Sequence, residues 1–118
     1  MEMNPEEIIN KLEYKVNELT IRNEKLKKLG TIKDRLEATY RCELRKELLQ
    51  LSLSNTNARG NEKIAQLRLN RDLAKIRYYL MKSSIENIKF EIEVLRSILI
   101  WLRVNFSVLK GEEVTWLN

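Results

Sequence analysis

The sequence predicts an all-α protein in which one long C-terminal helix pairs with the N-terminal half of the chain. Only three Gly and one Pro occur in 118 residues, and 33% of the residues are charged, which is typical of a helical chain. Apolar residues recur at alternating steps of three and four from Ile64 to Phe106, and a cluster of turn residues precedes them. We expect an antiparallel helical hairpin or a three-helix bundle with coiled-coil-like packing, forming a single domain over residues 1–118.

The first predicted helix spans residues 5–29. Asn4 can accept a hydrogen bond as the N-cap, and Pro5 suits the first helical position because its missing N–H needs no partner there. Apolar residues then follow at steps of three and four, with a single polar exception. They are Ile9, Leu12, Val16, Leu19, Asn23 and Leu26. If Asn23 is buried against another helix, it could fix the register or the oligomeric state.

Gly30 interrupts this pattern, and the phase of the apolar residues changes across it. From Leu29 to Leu51 they step mostly by four, which drifts relative to the first register. Either Gly30 ends the first helix or the helix continues through a bend. We favour the break and predict a second helix over residues 31–53.

Residues 54–61 read Ser-Asn-Thr-Asn-Ala-Arg-Gly-Asn and predict a reversal of the chain. The third helix should span residues 61–108, followed by a tail over residues 111–118. If Ile64 is position a of a seven-residue repeat, twelve of its thirteen a and d positions are apolar. They are Ile64, Leu67, Arg71, Ala74, Tyr78, Met81, Ile85, Ile88, Ile92, Leu95, Leu99, Leu102 and Phe106.

The c and f positions of this helix form a second apolar seam on nearly the opposite side. Eight of the twelve c and f positions between Gln66 and Val104 are apolar, among them Trp101. Since one partner helix cannot cover two opposed sides, we expect a homodimer or a higher homo-oligomer. Trp101, Trp116 and Leu117 are the candidate partner-binding residues. The tail could pack Trp116 and Leu117 onto the second apolar seam of its own chain, or it could be a docking peptide for a partner.

A third line of side chains, the basic line, occupies the e positions, and all six are cations. They are Arg68, Lys75, Lys82, Lys89, Arg96 and Arg103. Such charges can pair with glutamates of a neighbouring helix, or they can simply face solvent. They could also bind an acidic protein, or track the phosphates of a nucleic acid. We name the six as candidate nucleic-acid-binding residues, and the net charge of +5 is compatible with that role.

The sequence gives little reason to expect an enzyme. There is no His and only one Cys, which removes the usual zinc sites and the base that a nucleophile needs. No glycine-rich phosphate-binding loop occurs either, and we expect no metal and no cofactor. Cys42 is predicted to be a small buried apolar residue. A lone Cys, the absence of a signal peptide and the lack of an uncharged apolar span predict a cytoplasmic protein with no membrane contact.

The segment Asn57-Ala58-Arg59-Gly60-Asn61-Glu62-Lys63-Ile64-Ala65-Gln66-Leu67-Arg68, followed by Ala74, Tyr78 and Val94-Leu95-Arg96-Ser97, resembles a family of small helical phage proteins. These proteins are encoded in the early recombination and replication region of tailed phages of low-GC Gram-positive bacteria. The resemblance covers about residues 35–105. It implies a viral protein in the host cytoplasm, near proteins that bind and anneal single strands. It carries over no catalytic residues.

Two functions follow as hypotheses. The first is a self-associating accessory protein of phage DNA recombination or replication, which binds DNA or its complexes through the basic line and contacts phage or host proteins of DNA metabolism. The second is a protein–protein interaction module, an adaptor or inhibitor of a host or phage enzyme, which uses an apolar seam and Trp116 and makes no contact with nucleic acid.

Overall fold

The computed structural model describes residues 4–53 and 58–109, and all secondary structure within these ranges is α-helical. Helix α1 spans Pro5–Leu53 and helix α2 spans Ala58–Leu109. The all-α class is therefore confirmed, and the prediction of a three-helix bundle is wrong. Helix α2 begins three residues before the predicted start and ends one residue after the predicted end. Residues 54–57 and the tail over residues 111–118, with Trp116 and Leu117, lie outside the described residues.

Helix α1 begins at the predicted cap. The Oδ1 atom of Asn4 accepts a hydrogen bond from the backbone N–H of Glu6 at 2.9 Å, and the backbone oxygen of Asn4 accepts one from the N–H of Ile8 at 3.2 Å. Glu6 and Glu7 lie in the first turn, where negative charge offsets the positive end of the helix dipole. The start of α1 is thus determined by its own local sequence.

The predicted helix break at Gly30 is wrong, because α1 continues through this residue. A glycine inside a helix costs about 1 kcal/mol relative to alanine, which the packing on either side can outweigh. Gly30 is half-buried, and a Cβ atom placed on it would lie 3.4 Å from Cε2 of Tyr78. The apparent change of phase arises instead because the apolar pattern assigns the packed side of α1 wrongly.

The described chain consists of two compact units. Unit 1 contains residues 4–22 and 84–109, and unit 2 contains residues 23–53 and 58–83. Each unit is an antiparallel pair made of one segment of α1 and one of α2. In unit 1, Lys15 contacts Glu91 while the later residue Arg22 contacts the earlier residue Ser84. In unit 2, Lys63 contacts Glu43 and Lys75 contacts Glu37, again in opposite order.

The core of unit 1 consists of isoleucines. Ile8 is fully buried, and Ile85, Ile88 and Ile92 are each no more than 6% exposed. These three residues of α2 lie at a and d positions of the predicted repeat. Their burial removes apolar surface from water, the dominant favourable term in helix packing.

The core of unit 2 is smaller and more polar. Tyr40, Ile64 and Ala74 are buried. The Arg71 guanidinium, at the one polar a position of the predicted repeat, lies over the Tyr40 ring with its Cζ atom 4.3 Å from the ring centroid. This cation–π contact lets an arginine occupy a position that is otherwise apolar.

The predicted a and d seam of α2 is confirmed. Every described a and d side chain from Ile64 to Leu102 is buried or half-buried, while the side chain of Phe106 lies outside the described residues.

The predicted seam of α1 is wrong at alternate positions. Leu12 and Leu19 do lie on the packed side, but Ile9 and Val16 are 40% and 45% exposed. Their places are taken by the preceding residues Ile8 and Lys15, and the half-buried side chains continue at steps of three and four. They are Leu12, Lys15, Leu19 and Arg22 in unit 1, and Leu26, Leu29, Lys33, Leu36, Glu43 and Glu47 in unit 2, which also includes the buried Tyr40. No phase change occurs at Gly30, since Leu26, Leu29 and Lys33 keep this spacing across it.

Candidate functional site

In unit 2 the basic line is partly neutralised by α1. The Nε atom of Arg68 donates a hydrogen bond to the hydroxyl oxygen of Tyr40 at 3.2 Å, and Nζ of Lys75 lies 3.7 Å from Oε2 of Glu37. Lys82 is exposed and forms no ion pair or hydrogen bond with any residue that the structure describes. Two of these three cations thus have an internal partner, and Lys82 is available for an external one.

In unit 1 the basic line is more open. Lys89 has a partner on its own helix, Glu86, with Nζ 3.6 Å from Oε1. Arg96 and Arg103 are exposed, and neither is paired within the described parts of the chain. A surface pair at 3.6 Å contributes little free energy, so Lys89 can also exchange its partner for an external anion.

The difference between the two units follows from which residues of α1 lie on the same side as the basic line. In an antiparallel heptad pair the e positions of the two helices, each of which directly follows a d position, line one side of the contact. On α1 the corresponding d residues of the seam are Ile8, Lys15 and Leu36. In unit 2 this position of α1 holds Glu37, which contacts Lys75. In unit 1 it holds Ile9 and Val16. Since neither is acidic, α1 supplies no carboxylate at these positions for the cations of unit 1.

Glu37 concentrates the charge interactions of unit 2. Its carboxylate accepts a hydrogen bond from Nε of Arg41 at 2.8 Å and lies 3.5 Å from Nε of Arg71. Desolvation raises the pKa of the Glu37 carboxyl, but the hydrogen bond from Arg41 and the charges of Lys75 and Arg71 outweigh it, so that the pKa lies below its ordinary value. The carboxylate therefore stays ionised at neutral pH and holds Lys75 near α1.

Two further ion pairs join the helices. In unit 2, Nζ of Lys63 lies 3.0 Å from Oε2 of Glu43, and this hydrogen bond lowers the pKa of the Glu43 carboxyl. In unit 1, Nζ of Lys15 lies 2.5 Å from Oε2 of Glu91, and this hydrogen bond raises the pKa of the Lys15 ammonium. These charges are satisfied inside the units, which distinguishes them from Lys82, Arg96 and Arg103.

The second apolar seam of α2 is exposed along most of its length. In unit 1, Phe90 is 67% exposed and Trp101 is 64% exposed. Phe90 and Val94 also line an open groove of about 690 Å³, which Tyr14 lines from α1. The candidate partner-binding residue Trp101 is thus accessible, whereas Trp116 and Leu117 lie outside the described residues. Exposed apolar surface of this extent is typical of binding surfaces in general.

Unit 2 adds an aromatic residue that the sequence analysis did not single out. Tyr79 is 58% exposed, and its ring meets that of Tyr78 edge-on, with the centroids 5.4 Å apart. It lies four residues after Lys75 and three before Lys82, so both cations are its neighbours on the helix surface. The available signal was an aromatic residue at position b of the repeat, where three of the other five residues, Asp72, Glu86 and Glu93, are acidic.

The prediction that Cys42 is buried is wrong, because the residue is exposed on α1. Within residues 4–53 and 58–109, no group of three or more His, Cys, Asp and Glu side chains could hold a metal ion. None of the described helices is long and apolar enough to cross a membrane.

No protein family model, curated protein or solved structure matches the chain. The resemblance to early-region phage proteins therefore stays a prediction, as do the functions that it suggests.

Proposed function

We propose that the chain is a helical accessory protein of phage DNA recombination or replication, and that it binds nucleic acid through the basic line of α2. The observation that supports the binding is that Lys82, Arg96 and Arg103 are exposed and have no partner among the described residues. The resemblance in sequence supports the phage context. The proposed role is non-catalytic and needs no cofactor.

The spacing of these cations suits a polyanion. Arg96 and Arg103 lie seven residues apart on one continuous helix, which separates them by about 10.5 Å along its axis. Phosphates recur along a nucleic acid, so successive cations on one side of a helix can each contact one. An unpaired cation gains more from such a contact than a paired one, because no internal ion pair has to be broken.

A pair of charge-matched variants tests this proposal. The first replaces Lys82, Arg96 and Arg103 by Glu. The second replaces Lys11, Lys25 and Lys28 by Glu; these are three exposed lysines of α1 outside the basic line. Both variants change the net charge equally, so nonspecific attraction weakens equally in both. Binding to labelled single-stranded and double-stranded DNA is measured by fluorescence anisotropy at low salt.

We expect the variant in α2 to lose binding at least tenfold more than the variant in α1, since each lost phosphate contact removes the release of its counterion. Circular dichroism checks whether both variants remain helical. Equal losses in the two variants would mean that only net charge matters. No binding by the wild type at low salt would refute the proposal.

The exposed second apolar seam favours a second candidate, a protein–protein interaction module without nucleic-acid contact. Phe90 and Trp101 offer large aromatic surfaces of the kind that anchor helical interfaces. We propose that a second copy of the chain covers this seam in a homodimer or larger assembly. Sedimentation tests this proposed assembly. The double variant Phe90→Ser, Trp101→Ser should be more monomeric than the wild type. A wild type that is monomeric at high concentration would contradict the proposal.

A further inference from the structure

We propose that Tyr79 is a stacking platform for a base of single-stranded nucleic acid, with Lys75 and Lys82 contacting the phosphates on either side of that base. This inference rests on the proposed function and makes it more specific.

The ring of Tyr79 is available for such a contact. It is 58% exposed, although aromatic side chains contribute most to stability when they are buried. Its neighbour Tyr78 is half-buried at an a position of the seam and meets Tyr79 edge-on, with an angle of 77° between the ring planes. Whichever ring offers its edge in this T-shaped pair, at least one face of the Tyr79 ring is free of Tyr78, and a flat ligand can contact that face.

The charges around Tyr79 are arranged for phosphates. Lys75 precedes Tyr79 by four residues and Lys82 follows it by three, so one cation neighbours Tyr79 towards each end of the helix. Lys82 has no partner within the described residues, and the Lys75 side chain is 42% exposed although Glu37 lies near it. An aromatic ring between two cations fits a flexible, negatively charged chain of bases.

Single strands fit this arrangement better than a duplex does. In a duplex the faces of the bases are covered by their neighbours in the stack, whereas an unpaired strand can place a base on an aromatic side chain. Stacking of this kind tolerates every base, because each has a π-face. We therefore expect little dependence on base sequence.

The test compares four variants with the wild type by fluorescence anisotropy, using labelled oligo-dT of about 16 nucleotides and a labelled duplex of the same length. Tyr79→Ala removes the ring, Tyr79→Leu keeps apolar bulk without a π-face, and Tyr79→Phe keeps the ring. Leu48→Ala is the matched control, because Leu48 is 56% exposed on α1 and lies outside both the basic line and the second apolar seam.

We expect Tyr79→Ala and Tyr79→Leu to weaken oligo-dT binding by roughly 5- to 100-fold and duplex binding by less than about twofold. Tyr79→Phe and Leu48→Ala should bind like the wild type. Oligo-dT binding that survives Tyr79→Ala and Tyr79→Leu overturns the stacking role and leaves the proposed function standing. Absence of all DNA binding by the wild type refutes both. Displacement of oligo-dT by poly-glutamate as readily as by unlabelled oligo-dT would assign the site to acidic proteins instead.

Discussion

In unit 1 the buried side chains that the structure describes are all isoleucines, whereas in unit 2 the contact between the helices also uses tyrosine, arginine and glutamate. Ile85, Ile88 and Ile92 face α1 in unit 1. In unit 2, the Arg71 guanidinium lies over the Tyr40 ring. The Glu37 carboxylate forms ion pairs with Arg41 of α1 and with Lys75 of α2. Unit 1 is therefore stabilised chiefly by apolar burial and unit 2 to a larger extent by charge. Salt screens charge pairs and pH titrates them, whereas burial of isoleucine involves neither a charge nor a titrating group.

The same difference determines which cations are free. Glu37 belongs to the charge network of unit 2 and holds Lys75. Unit 1 has apolar residues at the corresponding positions of α1, so Arg96 and Arg103 remain unpaired within the described chain. The unit with the more apolar core thus has the more open basic line.

Truncation of the unit 1 core should have the largest effect on stability. Ile88→Ala removes a side chain that is 4% exposed and leaves a cavity, which should lower the free energy of unfolding by about 2–5 kcal/mol. Urea unfolding should give the same loss at low salt and at about 1 M salt, where charge interactions are screened beyond roughly 3 Å. The exposed control Leu48→Ala should lose less than about 0.5 kcal/mol. A loss below about 1 kcal/mol for Ile88→Ala would contradict the assignment of the core.

Acid should weaken unit 2. The folded-state pKa values of Glu37 and Glu43 lie below the ordinary value of 4.5, so each contributes stability that is present above that pH and lost as the pH falls through the folded pKa. Lys15 of unit 1 behaves in the opposite sense: its raised pKa contributes stability below pH 10.5, which is lost as the pH rises through the folded value.

Amide hydrogen exchange at pH 6 and pH 4, corrected for intrinsic rates, separates the two units. We expect Glu37→Gln to reduce the protection of unit 2 at pH 6 and to flatten its dependence on acid. If Glu37→Gln loses protection with acid as steeply as the wild type, the charge network does not stabilise unit 2.

Gly30→Ala should have the smallest effect and should stabilise unit 2. Alanine is favoured over glycine in a helix by about 1 kcal/mol, and the new Cβ atom would lie in ordinary contact with Tyr78 at 3.4 Å. Chemical unfolding should show a gain of about 0.5–1 kcal/mol. The control Ala38→Gly, at an exposed position of the same helix, should show a loss of similar size. A net loss for Gly30→Ala would mean that the contact with Tyr78 cannot relax.

The sequence was sufficient to predict the packed side of α2, because its seam is apolar at all but one position. It was insufficient for α1, where Lys15, Arg22 and Lys33 lie on the packed side. A pattern of apolar residues omits such cations and therefore assigns the adjacent residues Ile9 and Val16 to the packed side instead. That error also produced the apparent phase change at Gly30. Long cations can pack their methylene stems against a helix while pairing their charges, and a hydrophobic pattern does not detect this.

The candidate site was predictable in part. The heptad positions identified all six cations of the basic line, but which of them are paired depends on the residues of α1 that lie beside them. Glu37 could be placed next to Lys75 only after the true seam of α1 was known. Tyr79 was missed because an exposed tyrosine at position b is unremarkable until the flanking cations are seen to be accessible. Exposure, unlike periodicity, depends on both helices together.

The salt dependence of binding tests the central claim most directly. The association constant of the wild type for oligo-dT is measured over a series of salt concentrations. If three to six cations of the basic line contact phosphates, the logarithm of the constant should fall linearly with the logarithm of salt, with a slope between about −2 and −4. The triple substitution of Lys82, Arg96 and Arg103 by Glu should flatten that line. A slope near zero for the wild type would contradict the proposal that these cations bind nucleic acid.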